Sequence, residues 1–188
     1  MLIYIIILLI GIAMIVLGTC IAVAQFLFDM CFTRPKEPEK EIEICIQNIE
    51  KHGGNGALIR QGRDWMLSKN VSQHYITSRD GLRLHGIYIS NEESTKDRVA
   101  VLVHGYHGAP SFDFSAAAKL YYNNGFSLFL PDQRTHGESE GKYICFGALE
   151  RLDCVRWAEY IDRRIGGEIF LDGISMGAST VLMASGEA

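Results

Sequence analysis

Charge is missing where the chain begins. None of the 40 Asp, Glu, Lys and Arg side chains lies in the first 28 of 188 positions. The other shortages are milder, and each excludes something. Four prolines, no repeat or low-complexity tract, an apolar share of 48% and a net charge of −4 exclude collagen-like and disordered chains. Basic residues are outnumbered 18 to 22, which argues against a nucleic-acid partner. Cysteine is sparse and irregular. Cys20, Cys31, Cys45, Cys145 and Cys154 form no metal or redox spacing, and their odd count reads as free thiols. No phosphate-cradling loop, nucleotide fingerprint or metal-ligand cluster is present, so neither a cofactor nor a metal is expected.

What stands at the start is LIYIIILLIGIAMIVLGTCIAVAQFLF, residues 2–28, with Thr19 and Gln25 as the clearly polar side chains. About 20 apolar helical residues cross the roughly 30 Å hydrocarbon layer, so this run predicts a single-pass anchor in the lipid bilayer. A soluble core helix is disfavoured by its length and purity. A cleaved signal peptide is the stronger rival, with Ala22-Val23-Ala24 as a small-x-small site. That rival lacks a basic leader, and the run outlasts the usual apolar segment of a signal. Leu17-Gly18-Thr19-Cys20 is a faint lipoprotein signal with the same deficiency. Arg34, Lys36 and Lys40 come after the run and lean toward a cytoplasmic C-terminal part, against Glu37, Glu39 and Glu41 in the same stretch; the side remains open.

Residues 29–72 read as a juxtamembrane linker carrying Pro35 and Pro38. It leads into two short helices, Glu41–His52 and Ala57–Ser68, parted by Gly53-Gly54-Asn55-Gly56. Trp65 and Met66 offer a packing contact to the domain beyond residue 72; a solvated neck is the other reading. Residues 73–188 alternate strand and helix. His74–Thr77 and Leu82–Ser90 flank the hairpin turn Ser78-Arg79-Asp80-Gly81. Strands are expected at Arg98–Val103, Phe126–Leu130 and Glu168–Ile174, and helices at Ser111–Asn123, Phe146–Arg164 and Met176–Ser185. The pattern predicts an α/β fold, a mainly parallel sheet with helices on both faces.

Three stretches carry chemistry. Gly173-Ile174-Ser175-Met176-Gly177 lies between a strand and a helix, where a sharp turn exposes a serine Oγ and glycines on both sides prevent clashes. The bland alternative is a turn that only packs a helix closely on a strand. His104-Gly105-Tyr106-His107-Gly108 comes directly after the Arg98–Val103 strand. A tetrahedral intermediate needs two donors on its negative oxygen, and the backbone N–H groups of Tyr106 and Met176 are the candidates. Here the alternatives make His104 and His107 loop polar groups or metal ligands. Asp132, Arg134 and His136, in the stretch from Pro131 to Gly141, read as a hydrogen-bonded clamp under the site, with a structural role for His136 favoured over a catalytic one.

In this order and on these elements, the three stretches resemble the alpha/beta-hydrolase superfamily, most closely bacterial membrane-anchored cell-surface hydrolases related to the serine aminopeptidase-like group. The resemblance runs from about Gln73 to the end. It implies Ser175 as nucleophile and an oxyanion hole at Tyr106 and Met176, supported by His104, Gly105, Asp132, His136, Gly173 and Gly177. The implied substrate is a small ester, thioester or peptide-like amide. Arg134-Thr135 before His136-Gly137 departs slightly from the Arg-Gly pair common in that family. The family order is Ser, then Asp or Glu, then His. Only 13 residues lie beyond Ser175, with Glu187 among them and no histidine. The expectation is therefore a C-terminally truncated hydrolase whose catalytic acid and base are missing. An inactive anchored fragment, with a binding role or none, is the alternative.

Overall fold

The computed structural model describes residues 1–34, 37–94 and 97–187; Pro35 and Lys36 of the expected linker lie outside them. Contacts divide the chain into two compact units, Met1–Thr33 and the residues from Arg34 onward. The first is one helix, α1 (Leu2–Phe32), with no buried residue, long and apolar enough by length and composition to cross a membrane. It continues past Phe28, where the apolar run stops. Asp29 keeps it helical by accepting from Gln25 Nε2 at 2.8 Å and, through its carbonyl, from the Thr33 N–H and hydroxyl.

The second unit opens with α2 (Pro38–Lys51) and α3 (Gly56–Leu67). Pro38 suits a first turn that has no use for its missing N–H, and the Asn55 side chain caps α3 by accepting from Leu58 N at 3.0 Å. These helices are packed, not a solvated neck. Ile42, Ile46 and Met66 are buried, and Trp65 meets the Tyr122 ring edge-on at 5.4 Å.

Five strands make up the sheet: β1 (Val71–Thr77), β2 (Arg83–Ile89), β3 (Arg98–Val103), β4 (Ser127–Pro131) and β5 (Glu168–Gly173). They lie in the order β1-β2-β4-β3-β5. β2 is antiparallel to both neighbours, while β3 pairs in parallel with β4 and β5. Four of the five strands therefore point one way. The alternation along β3 shows two apolar faces. Val99, Val101 and Val103 join Cys154, Trp157 and Ile161 of α6 (Glu150–Arg164). Ala100 and Leu102 join Met66 with Phe114 and Ala118 on the other side. From β3 the chain crosses to β4 on one side and then to β5 on the other. That reversal opens a crevice at the carboxyl ends of the strands, the usual ligand position in such sheets.

Two helices differ from expectation. The segment 111–123 is not continuous but splits into α4 (Pro110–Asp113) and α5 (Ala118–Asn123). Gly62 of α3 presses into the break, so close that a Cβ there would stand 1.8 Å from the Ser115 carbonyl oxygen. The helix expected from Phe146 starts only at Glu150, because the Glu150 carboxylate turns back to accept from Cys145 N and Gly147 N, each at 2.8 Å. Smaller shifts occur at strand ends: β1 starts at Val71, and Pro131 is the last residue of β4, opposite Gly86. The last helix, α7, spans Met176–Ala184.

The Gly62 contact predicts that Gly62→Ala destabilises the second unit by about 1–3 kcal/mol through overpacking. Both tryptophans lie in that unit, so urea unfolding monitored by tryptophan fluorescence reads the change.

Candidate active site

Ser175 lies between the end of β5 and the start of α7 with φ +55 and ψ −116. This is a costly conformation for a residue with a side chain, and the crowding around it shows what enforces it. A Cβ on Gly177 would sit 2.0 Å from the Val103 carbonyl oxygen, and one on Gly173 would sit 2.3 Å from the Gly177 carbonyl oxygen. The first turn of α7 can therefore rest on the end of β3 only with glycine at both positions. Ser175 is exposed, while Met176 and Gly177 behind it are buried.

The loop after β3 closes against this turn. A Cβ on Gly105 would lie 3.4 Å from Ser175 Cβ and 3.2 Å from the Ile174 carbonyl oxygen. The Gly105 carbonyl accepts from His104 Nδ1 at 2.8 Å and from Gly108 N at 3.2 Å. In a planar trans peptide the N–H points opposite to the C=O, so these two bonds also fix the direction of the Tyr106 N–H. His104 is fully buried. Its Nε2 accepts from the Gln133 backbone N–H at 3.1 Å, which places the ring proton on Nδ1. Both of its nitrogens are thereby engaged within the protein, which removes the metal-ligand alternative for His104.

Gln133 ties the ends of β3 and β4 to α7. Its Nε2 donates to the His104 carbonyl at 2.5 Å, and its Oε1 accepts from the Thr180 hydroxyl of α7 at 3.0 Å. Beside it, Asp132 receives His85 Nδ1 at 2.7 Å and Glu138 N at 2.9 Å, while its carbonyl accepts from the Ser139 hydroxyl at 2.7 Å. Arg134, 4% exposed, grips Asp153 of α6 at 2.6 and 2.8 Å and Asp80 of the β1–β2 turn at 3.0 and 3.1 Å. Burial works to lower the Arg134 pKa, but the bonds to Asp153 and Asp80 outweigh it and raise it. The same bonds hold Asp80 down to about 2. Burial raises Asp153 in spite of its arginine partner. Arg34 completes the clamp from outside, with its guanidinium on the Thr135 and Ser139 carbonyls.

His136 is buried under this loop. Its Nδ1 meets the Arg134 carbonyl at 3.0 Å, and its ring lies 4.8 Å from that of His104. Burial first, and then neighbouring His104, push its pKa down to about 3. Asp113, Gln133, Glu150 and Thr180 matter here without having stood out in the sequence. Gln133 lies inside the Pro131–Gly141 stretch but was given no role there, the other three lie outside the motifs, and only the tertiary fold brings all four to the strand ends.

No protein-family model matches the chain. Over 74 residues it is 32% identical to the thiohydrolase aneE of Aspergillus aculeatus, a match covering 39% of this chain and 22% of that protein. It is similar in structure to the esterase Pf2001 of Pyrococcus furiosus, with TM-score 0.56 and 26% identity over 63% of this chain and 47% of that one. It also superposes on XC6422 of Xanthomonas campestris, described as an alpha/beta serine hydrolase without lid, with TM-score 0.55, 20% identity, and 64% and 57% coverage. The chain thus spans about a fifth of the curated relative and just under half of the solved esterase.

The depressed pKa of His136 has a consequence for stability. The folded state keeps this ring neutral while the unfolded chain protonates near pH 6.5, so its contribution is complete above 6.5 and lost as pH falls toward 3. Below pH 6.5 it removes about 1.4 kcal/mol per pH unit. His104 and His74, also lowered by burial, act in the same direction, while Asp113 and Asp153, raised by burial, act oppositely nearer pH 4. Urea unfolding between pH 6 and 5 isolates the histidine part: His136→Gln flattens that slope by about 1.4 kcal/mol per unit.

Proposed function

We propose that this chain, an alpha/beta-hydrolase by fold and by comparison, carries the nucleophile and the oxyanion hole of a serine hydrolase cleaving ester, thioester or amide bonds. The observation that carries the reading is the left-handed backbone of Ser175 at a strand-to-helix turn, with Gly105 against its Cβ. In the proposed reaction Ser175 Oγ attacks the carbonyl carbon and its proton passes to a base. The carbonyl electron pair moves onto oxygen, where the Tyr106 and Met176 N–H groups donate to it. On collapse the leaving group takes that proton back from the base and departs as alcohol, thiol or amine. Water then gives a proton to the base, attacks the acyl-serine and releases the acid, the proton returning to Ser175 Oγ. The names of the relatives, an esterase and a thiohydrolase, favour esters and thioesters over amides.

Among the described residues no histidine bonds Ser175. His74, His85 and His104 each spend both ring nitrogens on partners elsewhere. On this reading the base that takes the Ser175 proton is none of these three histidines. A fluorophosphonate probe tests the nucleophile in the full-length protein: labelling is expected on Ser175 and lost in Ser175→Ala. Equal labelling of that variant overturns the reading.

We also infer that α1 is an uncleaved anchor, because a 31-residue apolar helix with none of its residues buried needs lipid around it. After an alkaline wash the protein is expected in the membrane pellet with Met1–Thr33 intact. Recovery of a soluble form starting after Ala24 overturns this.

A further inference from the structure

The loop from His104 to Gly108 is fixed by bonds from several sides, and one of them comes from an unremarkable residue. Asp113 ends α4, the one-turn helix just beyond the loop. Its Oδ2 accepts the Gly105 N–H at 2.6 Å, a short charge-assisted bond. The fit leaves no slack, since a Cβ on Gly108 would come 2.4 Å from the same oxygen. The loop is folded down over this carboxylate, with the glycine at 108 making the closeness possible.

The bond matters because of which peptides it locks. The peptide joining His104 to Gly105 is held at its carbonyl by Gln133 Nε2 and at its N–H by Asp113. The next one, joining Gly105 to Tyr106, is held at its carbonyl by His104 Nδ1 and Gly108 N. Rotating the second plane, and with it the Tyr106 N–H, requires rotation about the Gly105 φ and ψ bonds. Glycine offers little resistance to that rotation. The first plane must therefore be held from outside too, and it is held at both ends, by Gln133 at its carbonyl and by Asp113 at its N–H. Burial raises the pKa of this half-buried carboxylate, while the Gly105 N–H and His104 favour its charged form.

We propose that Asp113 is a positioning residue of the oxyanion loop: by holding the Gly105 N–H, it aims the Tyr106 N–H at the oxygen of a carbonyl poised over Ser175. This rests on the serine-hydrolase reading. Asp113 touches no reacting atom and acts through the backbone. Loss of one oxyanion donor costs about 100- to 1000-fold in rate, so misalignment of one costs a substantial fraction of that.

The test uses the full-length protein in detergent with a small alkyl fluorophosphonate, separating the maximal labelling rate of Ser175 from the half-saturating probe concentration. Asp113→Asn keeps the shape and an acceptor but loses the charge, and an approximately tenfold slower maximal rate is expected. For Asp113→Ala an approximately 100-fold slower rate is expected, with half-saturation unchanged in both. Tryptophan fluorescence establishes that each variant is folded. In ¹⁵N-glycine spectra the Gly105 amide proton moves upfield in Asp113→Asn while other glycines stay. A folded Asp113→Asn that labels within twofold of the parent, or an unmoved Gly105 resonance, overturns the proposal. Failure of the parent itself to label overturns the nucleophile reading and this inference with it, so the two failures are distinct.

Discussion

The absence of a side chain at Gly177 lets the carboxyl end of this sheet close. The α7 helix must start directly over β3, with the Val103 and His104 carbonyls within 2.0 and 2.6 Å of any added Cβ. That seating leaves two residues, Ile174 and Ser175, to turn the chain from strand to helix, and Ser175 does so at φ +55. Such backbone costs about 1–3 kcal/mol and persists only where its surroundings over-determine it. Here they do. The six-residue parallel pairing of β3 with β5 holds one side of the turn. The Thr180–Gln133–His104 chain ties the other side to the loops after β4 and β3. Strain at one serine is thus carried by three strand ends at once.

The polar groups beneath this turn obey one rule: each buried charge has its counter-group at hydrogen-bond distance. Arg134 has Asp153 and Asp80, and the Glu150 carboxylate has two backbone amides. Such pairs add less to stability than their number suggests, because removing both partners together is often neutral. Removing one leaves an uncompensated charge and is severe. Their use here is geometric. Arg134 joins the β1–β2 turn to α6 through the loop after β4, and Glu150 sets where α6 starts.

Strands and motif loops were legible in the sequence because their signals are local. β3, β4 and β5 are short apolar runs ended by glycine or proline, and the elbow glycines are demanded by a turn five residues long. The misreadings came from contacts that apolar periodicity does not report. Nothing in 111–123 announces a helix break, because it is imposed by Gly62, about fifty positions earlier. The late start of α6 reflects a carboxylate turning back on its own N-terminal side, where a periodic apolar pattern gave no sign of it. The roles of Asp113 and Gln133 were invisible because their partners, Gly105 N for one and the His104 carbonyl and Thr180 hydroxyl for the other, belong to other segments.

The histidines show how the labour of such a site divides. A general base works best with a pKa near the working pH, which requires access to solvent or a stabilising anion. A histidine that fixes a loop is buried, and burial moves its pKa the wrong way. His136 at about 3 is far too weak a base at neutral pH, and His104 is lowered by the same cause. Both are suited to hold a neutral ring and a defined tautomer. On the proposed reading, residues 1–188 hold the rigid part of the catalyst, the donors and the strained serine, whose value lies in not moving. The proton acceptor has the opposite requirement of changing charge in every turnover. It therefore belongs to a loop less deeply buried than those that set the oxyanion hole.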